Sequence, residues 1–132
     1  MPSMTNLYSV SAIMALASAV LLSQGAGAAA KGRQTIACPL PSGANLTFVK
    51  PAKLGDLPKI QLDYPSKVTL FSFRDGNFLA VAVDESDPSR LRLVISAQLN
   101  KVKGIYDGQL VIDSGGDELQ LDNGPVSCKP GP

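Results

Sequence analysis

Between Lys67 and Asp84 the chain reads KVTLFSFRDGNFLAVAVD, two apolar-rich runs joined at Asp75-Gly76. Asp-Gly between such runs is the strongest short hairpin signal, because a type I′ turn needs positive φ at both central residues and glycine adopts it without steric cost. Val68–Arg74 and Asn77–Val83 are therefore expected as the central antiparallel pair of a sheet. Neither run alternates cleanly. Phe71, Phe73, Phe78, Leu79, Val81 and Val83 leave little for a solvated face, which predicts that both faces of the pair are covered. The expected fold class is all-β: a small antiparallel β barrel or sandwich built of hairpins.

The flanking sequence supports that class. Arg33–Cys38 is a short β-prone run stopped by Pro39 and Pro41, which cannot donate to a ladder. Asn45–Val49 follows a Ser42-Gly43-Ala44 turn, and Lys50–Pro58, with two prolines and a glycine, is the longest irregular connection. The expectation is a solvated crossover between two sheet halves; the alternative, for a loop of this length, is a binding role. Ile60–Tyr64 alternates Ile60, Leu62 and Tyr64 with Gln61 and Asp63, the pattern of a half-buried strand. Arg90–Leu99 alternates most regularly, with Leu91, Leu93, Ile95, Ala97 and Leu99 on one face and Arg90 and Arg92 on the face expected to meet water. Beyond it the chain reads as four short strands, Val102–Tyr106, Gln109–Asp113, Glu118–Leu121 and Val126–Cys128, separated by turns at Asp107-Gly108, Ser114–Asp117 and Asp122–Pro125.

No charged side chain occurs before Lys31. An apolar stretch over Val10–Leu22, followed by small residues ending in Ala28-Ala29-Ala30, has the form of a signal peptide with an A-x-A site, although the segment before it carries no Lys or Arg. Residues 1–30 are read as that signal peptide, cleaved after Ala30 or, as second choice, after Ala28, leaving 31–132 as one exported domain with no stable membrane anchor; the alternative is an uncleaved anchor spanning about Leu7–Ala30, long enough to cross a bilayer. The expected location is periplasmic or secreted. In such a compartment two cysteines near the domain ends, Cys38 and Cys128, are expected to form a disulfide stapling the first strand to the last. Lys31 to Arg74 holds seven bases against Asp56 and Asp63, and the remainder nine acids against five bases. The expectation is that the two halves lie side by side and neutralise each other; the alternative is a dipolar surface that orients a partner.

The chain contains no histidine, which removes Ser-His-Asp and Cys-His arrangements and the commonest zinc ligand. Asp84, Glu85 and Asp87 lack the D-x-D-x-D-G spacing of a calcium loop, so no metal or other cofactor is expected. Asp113, Asp117, Glu118 and Asp122 lie in or beside expected turns, where water would keep them ionised and unlike a glycosidase acid. No catalytic residue, and no enzyme, is expected. A near-zero net charge implies neither nucleic acid nor an anionic membrane as a partner, and the absence of tryptophan and of aromatics beside a basic groove further argues against nucleic acid.

Tyr106-Asp107-Gly108, then Gly116-Asp117, then a cysteine in the final strand resembles the end of the secreted and membrane-bound inhibitors of c-type lysozyme, small antiparallel β barrels exported by bacteria. The Tyr-to-Asp spacing is shorter by one than in that family, and Gly115 stands in the place of its inhibitory lysine. What the resemblance implies is thus a fold and a compartment, while the inhibitory residues do not carry over. The function expected is a non-enzymatic protein-binding or inhibitor-like module of the cell envelope, its partner an envelope or foreign protein. The alternatives are a carrier holding an apolar ligand between Phe48, Phe71, Phe78 and Ile95, and a purely structural envelope protein.

Overall fold

The computed structural model describes residues 34–131; the expected signal peptide and its cleavage site lie outside them. Seven strands follow in chain order: β1 (Thr35–Pro39), β2 (Asn45–Val49), β3 (Ser66–Arg74), β4 (Asn77–Asp84), β5 (Leu91–Asn100), β6 (Ile105–Asp113) and β7 (Leu121–Pro130). They form one antiparallel sheet in the order β2-β1-β7-β6-β5-β4-β3. Strands β3 to β7 are a meander, and the β1–β2 hairpin is added beyond β7. The sheet curls into a half-barrel, until Phe48 on one edge strand and Phe71 on the other bring their ring centroids to 5.8 Å.

The Asp75-Gly76 hairpin forms as expected, with φ of 55° and 72° at the two turn residues. Its place differs from expectation, because β3 is an edge strand and the pair lies at one end of the sheet. Nor are both faces covered. Between Val68 and Leu70 the pairing with β4 shifts by one residue, so Thr69 is bulged. A bulge flips the two-residue side-chain phase. Before it Ser66 and Val68 point inward; after it Phe71 and Phe73 do, and Leu70 is left exposed. The broken alternation in the sequence was thus the signature of a bulge rather than of two buried faces. Strand β4 alternates regularly, burying Phe78, Ala80, Ala82 and Asp84.

Three further expectations are corrected. Ile60–Tyr64 joins no ladder. Its alternation is nonetheless expressed in packing, since Ile60 and Leu62 rest on the core from the connection 50–65 that links the two sheet edges. The expected break at Asp107-Gly108 is absent: β6 runs unbroken, Gly108 pairs with Ala97, and a Cβ at this glycine would stand 2.0 Å from the Ser96 carbonyl oxygen. The glycine marks close approach of two strands, not a turn. Likewise Asp122–Pro125 is not a turn but part of β7, where Pro125 is tolerated because β1 pairs with β7 only at Lys129 and Pro130 and leaves that flank open.

Cys38 on β1 and Cys128 on β7 are joined by a disulfide, both fully buried, with Cα atoms 4.2 Å apart. First strand and last are stapled as the sequence led us to expect. The interior is filled by interlocking rings: Phe78 meets Phe48 at 5.4 Å and Phe71 and Phe73 at 5.8 Å, edge to face in each case. Leu93, Ile95, Ala97 and Leu110 complete this core.

Candidate functional site

Because consecutive strands alternate in direction, the loops fall at two opposite ends of the sheet. At one end lie the connections 40–44, 85–90 and 114–120 with the segment leading into β3; at the other lie residues 50–56 and the turns at 75–76 and 101–104.

The first end is built around a buried set of charges. Pairing of β4 with β5 passes from Ala82–Leu93 to Val83–Leu91, which leaves Arg92 as an extra, bulged residue. The bulge turns its side chain inward and leaves it only 3% exposed, whereas Leu91 is put outside. The expectation that Arg90 and Arg92 share a solvated face is therefore overturned. The Arg92 guanidinium donates to Asp84 Oδ2 from Nε at 2.9 Å and from Nη2 at 2.7 Å, donates from Nη1 to the Gly115 carbonyl at 2.7 Å, and lies 4.5 Å from the Tyr64 ring centroid. Arg90 donates from Nε to Asp113 Oδ2 at 2.6 Å and from its terminal nitrogens to the carbonyls of Gly115, Gly116 and Glu118. Asp113, expected in a watery turn, is 3% exposed. Its Oδ1 accepts the backbone N–H groups of Gly115 and Gln120, each at 3.0 Å.

Every partner thus satisfies another, and among the described residues no buried side-chain polar atom lacks one. The hydroxyl of Ser86 and the Arg92 guanidinium hold the Asp84 carboxyl well below its ordinary range, with the backbone N–H groups of Asp87 and Ser86 adding to them against the cost of burial. Arg90, outweighing burial, does the same for Asp113, helped by the amides of Gln120 and Gly115; in return Asp113 raises the affinity of Arg90 for its proton. Carboxylates held in this way stay ionised near neutral pH and have no proton to give. The assembly is a brace, fixing the loop 114–120 against the ends of β4 and β5.

Gly115 is the hinge point of the brace. A Cβ there would stand 1.9 Å from the Glu118 carbonyl oxygen and 2.8 Å from the Gln120 nitrogen, both backbone atoms. The position is closed to any side chain. Gly115→Ala should force the loop away from both arginines and lower unfolding free energy by about 2 kcal/mol, through strain and displaced acceptors; chemical denaturation measures this directly.

Beside the brace opens a cleft of about 480 Å³. Leu40, Leu62 and Ile112 give it apolar walls, Tyr64 and Arg92 line its braced side, and the exposed carboxylates of Asp63 and Asp122 stand at its rim. The exposed acids Glu85, Asp87, Asp117 and Glu118 lie on neighbouring loops of this end, whose two arginines are occupied by Asp84 and Asp113 and which carries one exposed lysine, Lys67, at the start of β3. The opposite end carries exposed Lys50, Lys53, Arg74, Lys101, Lys103 and Lys129 against exposed Asp56 and Asp75. So the two halves of the chain do not simply cancel; the topology sorts their charge into an acidic end and a basic end. A second groove of about 460 Å³ lies at the basic end, between residues 50–56 and Phe71–Arg74. The disulfide pair, on the β1–β7 seam, lines neither groove. Sequence reasoning missed Arg90, Arg92, Asp84 and Asp113 as a group because their partners are up to 28 residues apart; the one local signal was a pair of arginines at the start of an alternating strand.

Comparison with protein-family models, with curated proteins and with solved structures gives no match for this chain.

Proposed function

We propose that this is an exported, non-enzymatic binding domain of the cell envelope that takes a cationic segment of a protein partner into the cleft at its acidic end. The observation that carries the reading is the cleft itself: apolar walls from Leu40, Leu62 and Ile112 beside a fully satisfied ion-pair brace, with the exposed carboxylates of Asp63 and Asp122 at the rim, the latter accepting from the Ser114 hydroxyl at 3.3 Å. A wall that does not move on binding saves ordering entropy, and the surplus of carboxylates on the surrounding loops favours a positively charged approach. Export is supported by the uncharged segment before Lys31 and by the formed disulfide. Against the carrier reading, Phe48, Phe71 and Phe78 pack on one another where its apolar ligand was expected. An inhibitor of c-type lysozyme remains one form of the proposal, using rim carboxylates in place of the family's lysine.

The test is titration calorimetry of the full chain against a panel of basic and acidic globular proteins, c-type lysozyme among the basic ones. Expected is preference for basic partners that weakens with added salt, and a loss of up to about fivefold in affinity for each of Asp63→Asn and Asp122→Asn, the scale of one exposed charge pair. Binding indifferent to these substitutions, or confined to acidic partners, sinks the reading.

A further inference from the structure

At the basic end two aliphatic side chains stand almost wholly in water. Leu54 is 90% exposed and Val102 96%. Leu54 follows Lys53 in the connection leaving β2, and Val102 lies between Lys101 and Lys103 in the turn joining β5 to β6. The Val102 turn is held in shape: Asn100 Oδ1 accepts the N–H of Val102 at 3.1 Å and of Lys103 at 3.2 Å, and the Gly104 N–H donates to the Asn100 carbonyl at 2.8 Å. The neighbouring 75–76 turn is tied to the same corner by the Leu99 N–H, which donates to the Gly76 carbonyl at 2.7 Å. The end therefore presents projecting aliphatic tips, each flanked by lysine, with Lys50 and Arg74 beside them.

We infer that this end docks on an anionic lipid surface, with Leu54 and Val102 entering the boundary between headgroups and acyl chains and the lysines meeting lipid phosphates. Charge complementarity selects an anionic partner, and the almost complete exposure of the two side chains favours lipid. Leu54, at the groove between residues 50–56 and Phe71–Arg74, and Val102, on a separate turn, are single projecting side chains that give a protein partner little continuous apolar area to match, whereas a fluid interface closes around each aliphatic group while the adjacent cations stay at headgroup level. The same surface repels the acidic end. Docked in this way, the molecule holds its cleft away from the bilayer, facing water.

The chain contains no tryptophan, so a single introduced indole reports without background. Leu54→Trp and Val102→Trp in the full chain are expected to blue-shift, and to become shielded from an aqueous quencher, on adding vesicles of phosphatidylglycerol mixed with phosphatidylcholine. Vesicles of phosphatidylcholine alone should leave them unchanged. Leu119→Trp, at the opposite end and 65% exposed in the native residue, should remain unshifted in both. Replacing Lys53 or Lys101 by Gln should weaken the phosphatidylglycerol-dependent shift by about fivefold each, the scale of one cation near an anionic surface. Unshifted tips with phosphatidylglycerol vesicles, or an equal shift at Leu119→Trp, overturn the inference. A tip response to polyglutamate but not to vesicles overturns it in favour of an acidic protein.

Discussion

Opening the Cys38–Cys128 bridge is expected to lower the free energy of unfolding by about 4–5 kcal/mol, the chain-entropy value for a loop of this length. The sequence separation is 90 residues, and a domain of ordinary stability has only about 5–15 kcal/mol in total. The location adds to the expectation. Strand β1 is held to β7 by two ladder pairs, Ile36–Pro130 and Ala37–Lys129, so the bridge is the principal tie between the β1–β2 hairpin and the meander. Without it that hairpin should open first, uncovering Phe48, whose ring packs against Phe71 and Phe78. Urea unfolding of oxidised and reduced protein of unchanged sequence isolates the cross-link from packing effects. Equal midpoints, or two reactive thiols in the oxidised native protein, would contradict the assignment.

A comparable loss, about 3–5 kcal/mol, is expected for Asp113→Asn, because removing one member of a buried pair leaves the other charge uncompensated. Arg90 would lose its 2.6 Å carboxylate partner, and Arg92 its 3.6 Å contact. Simultaneous Arg90→Gln should recover part of the loss, which a purely steric effect would not permit. The pH dependence follows from the depressed carboxyls of Asp84 and Asp113. In the unfolded chain each binds its proton near the ordinary value of 3.8, while in the folded chain each stays ionised well below that. Stability from the brace is therefore complete above about pH 4–5 and is lost as pH falls below the unfolded value toward the native ones. Urea midpoints measured from pH 2 to 7 should be level at the upper end and fall steeply below about pH 4. The Asp113→Asn protein, with one carboxyl fewer to take up a proton on unfolding, should fall less steeply. An equal slope in the two proteins would mean that Asp113 does not carry the linkage.

Much of the fold was legible in the order of residues because its signals are local. Asp75-Gly76 sets its own turn, Leu46 and Phe48 in Asn45–Val49 set which face of a short strand is buried, and two cysteines in a small chain have one another as partners. Even Ile60, Leu62 and Tyr64 were read correctly as to facing, though not as to hydrogen bonding: alternation reports burial, and a loop crossing from one sheet edge to the other can alternate without a ladder. Gly108 and Pro125 were misread for a related reason. Glycine and proline interrupt a strand when they stand alone, but a close neighbouring strand in one case and an unpaired flank in the other make them acceptable within it.

By itself, then, the sequence determined the all-β class, the principal hairpin, the cysteine pairing and the absence of histidine chemistry, each a property of neighbouring residues or of composition. Tertiary structure alone decided the phase of two strands and the sorting of charge. Single-residue bulges at Thr69 and Arg92 reverse which side chains face inward, and nothing in local propensity marks where the extra residue will fall. The second of them converts an arginine expected in water into the centre of a buried brace whose acceptors come from β4, β6 and the loop after it. Antiparallel alternation then gathers loops distant in sequence at two ends, and the chain's uneven charge becomes an acidic cleft at one and basic aliphatic tips at the other.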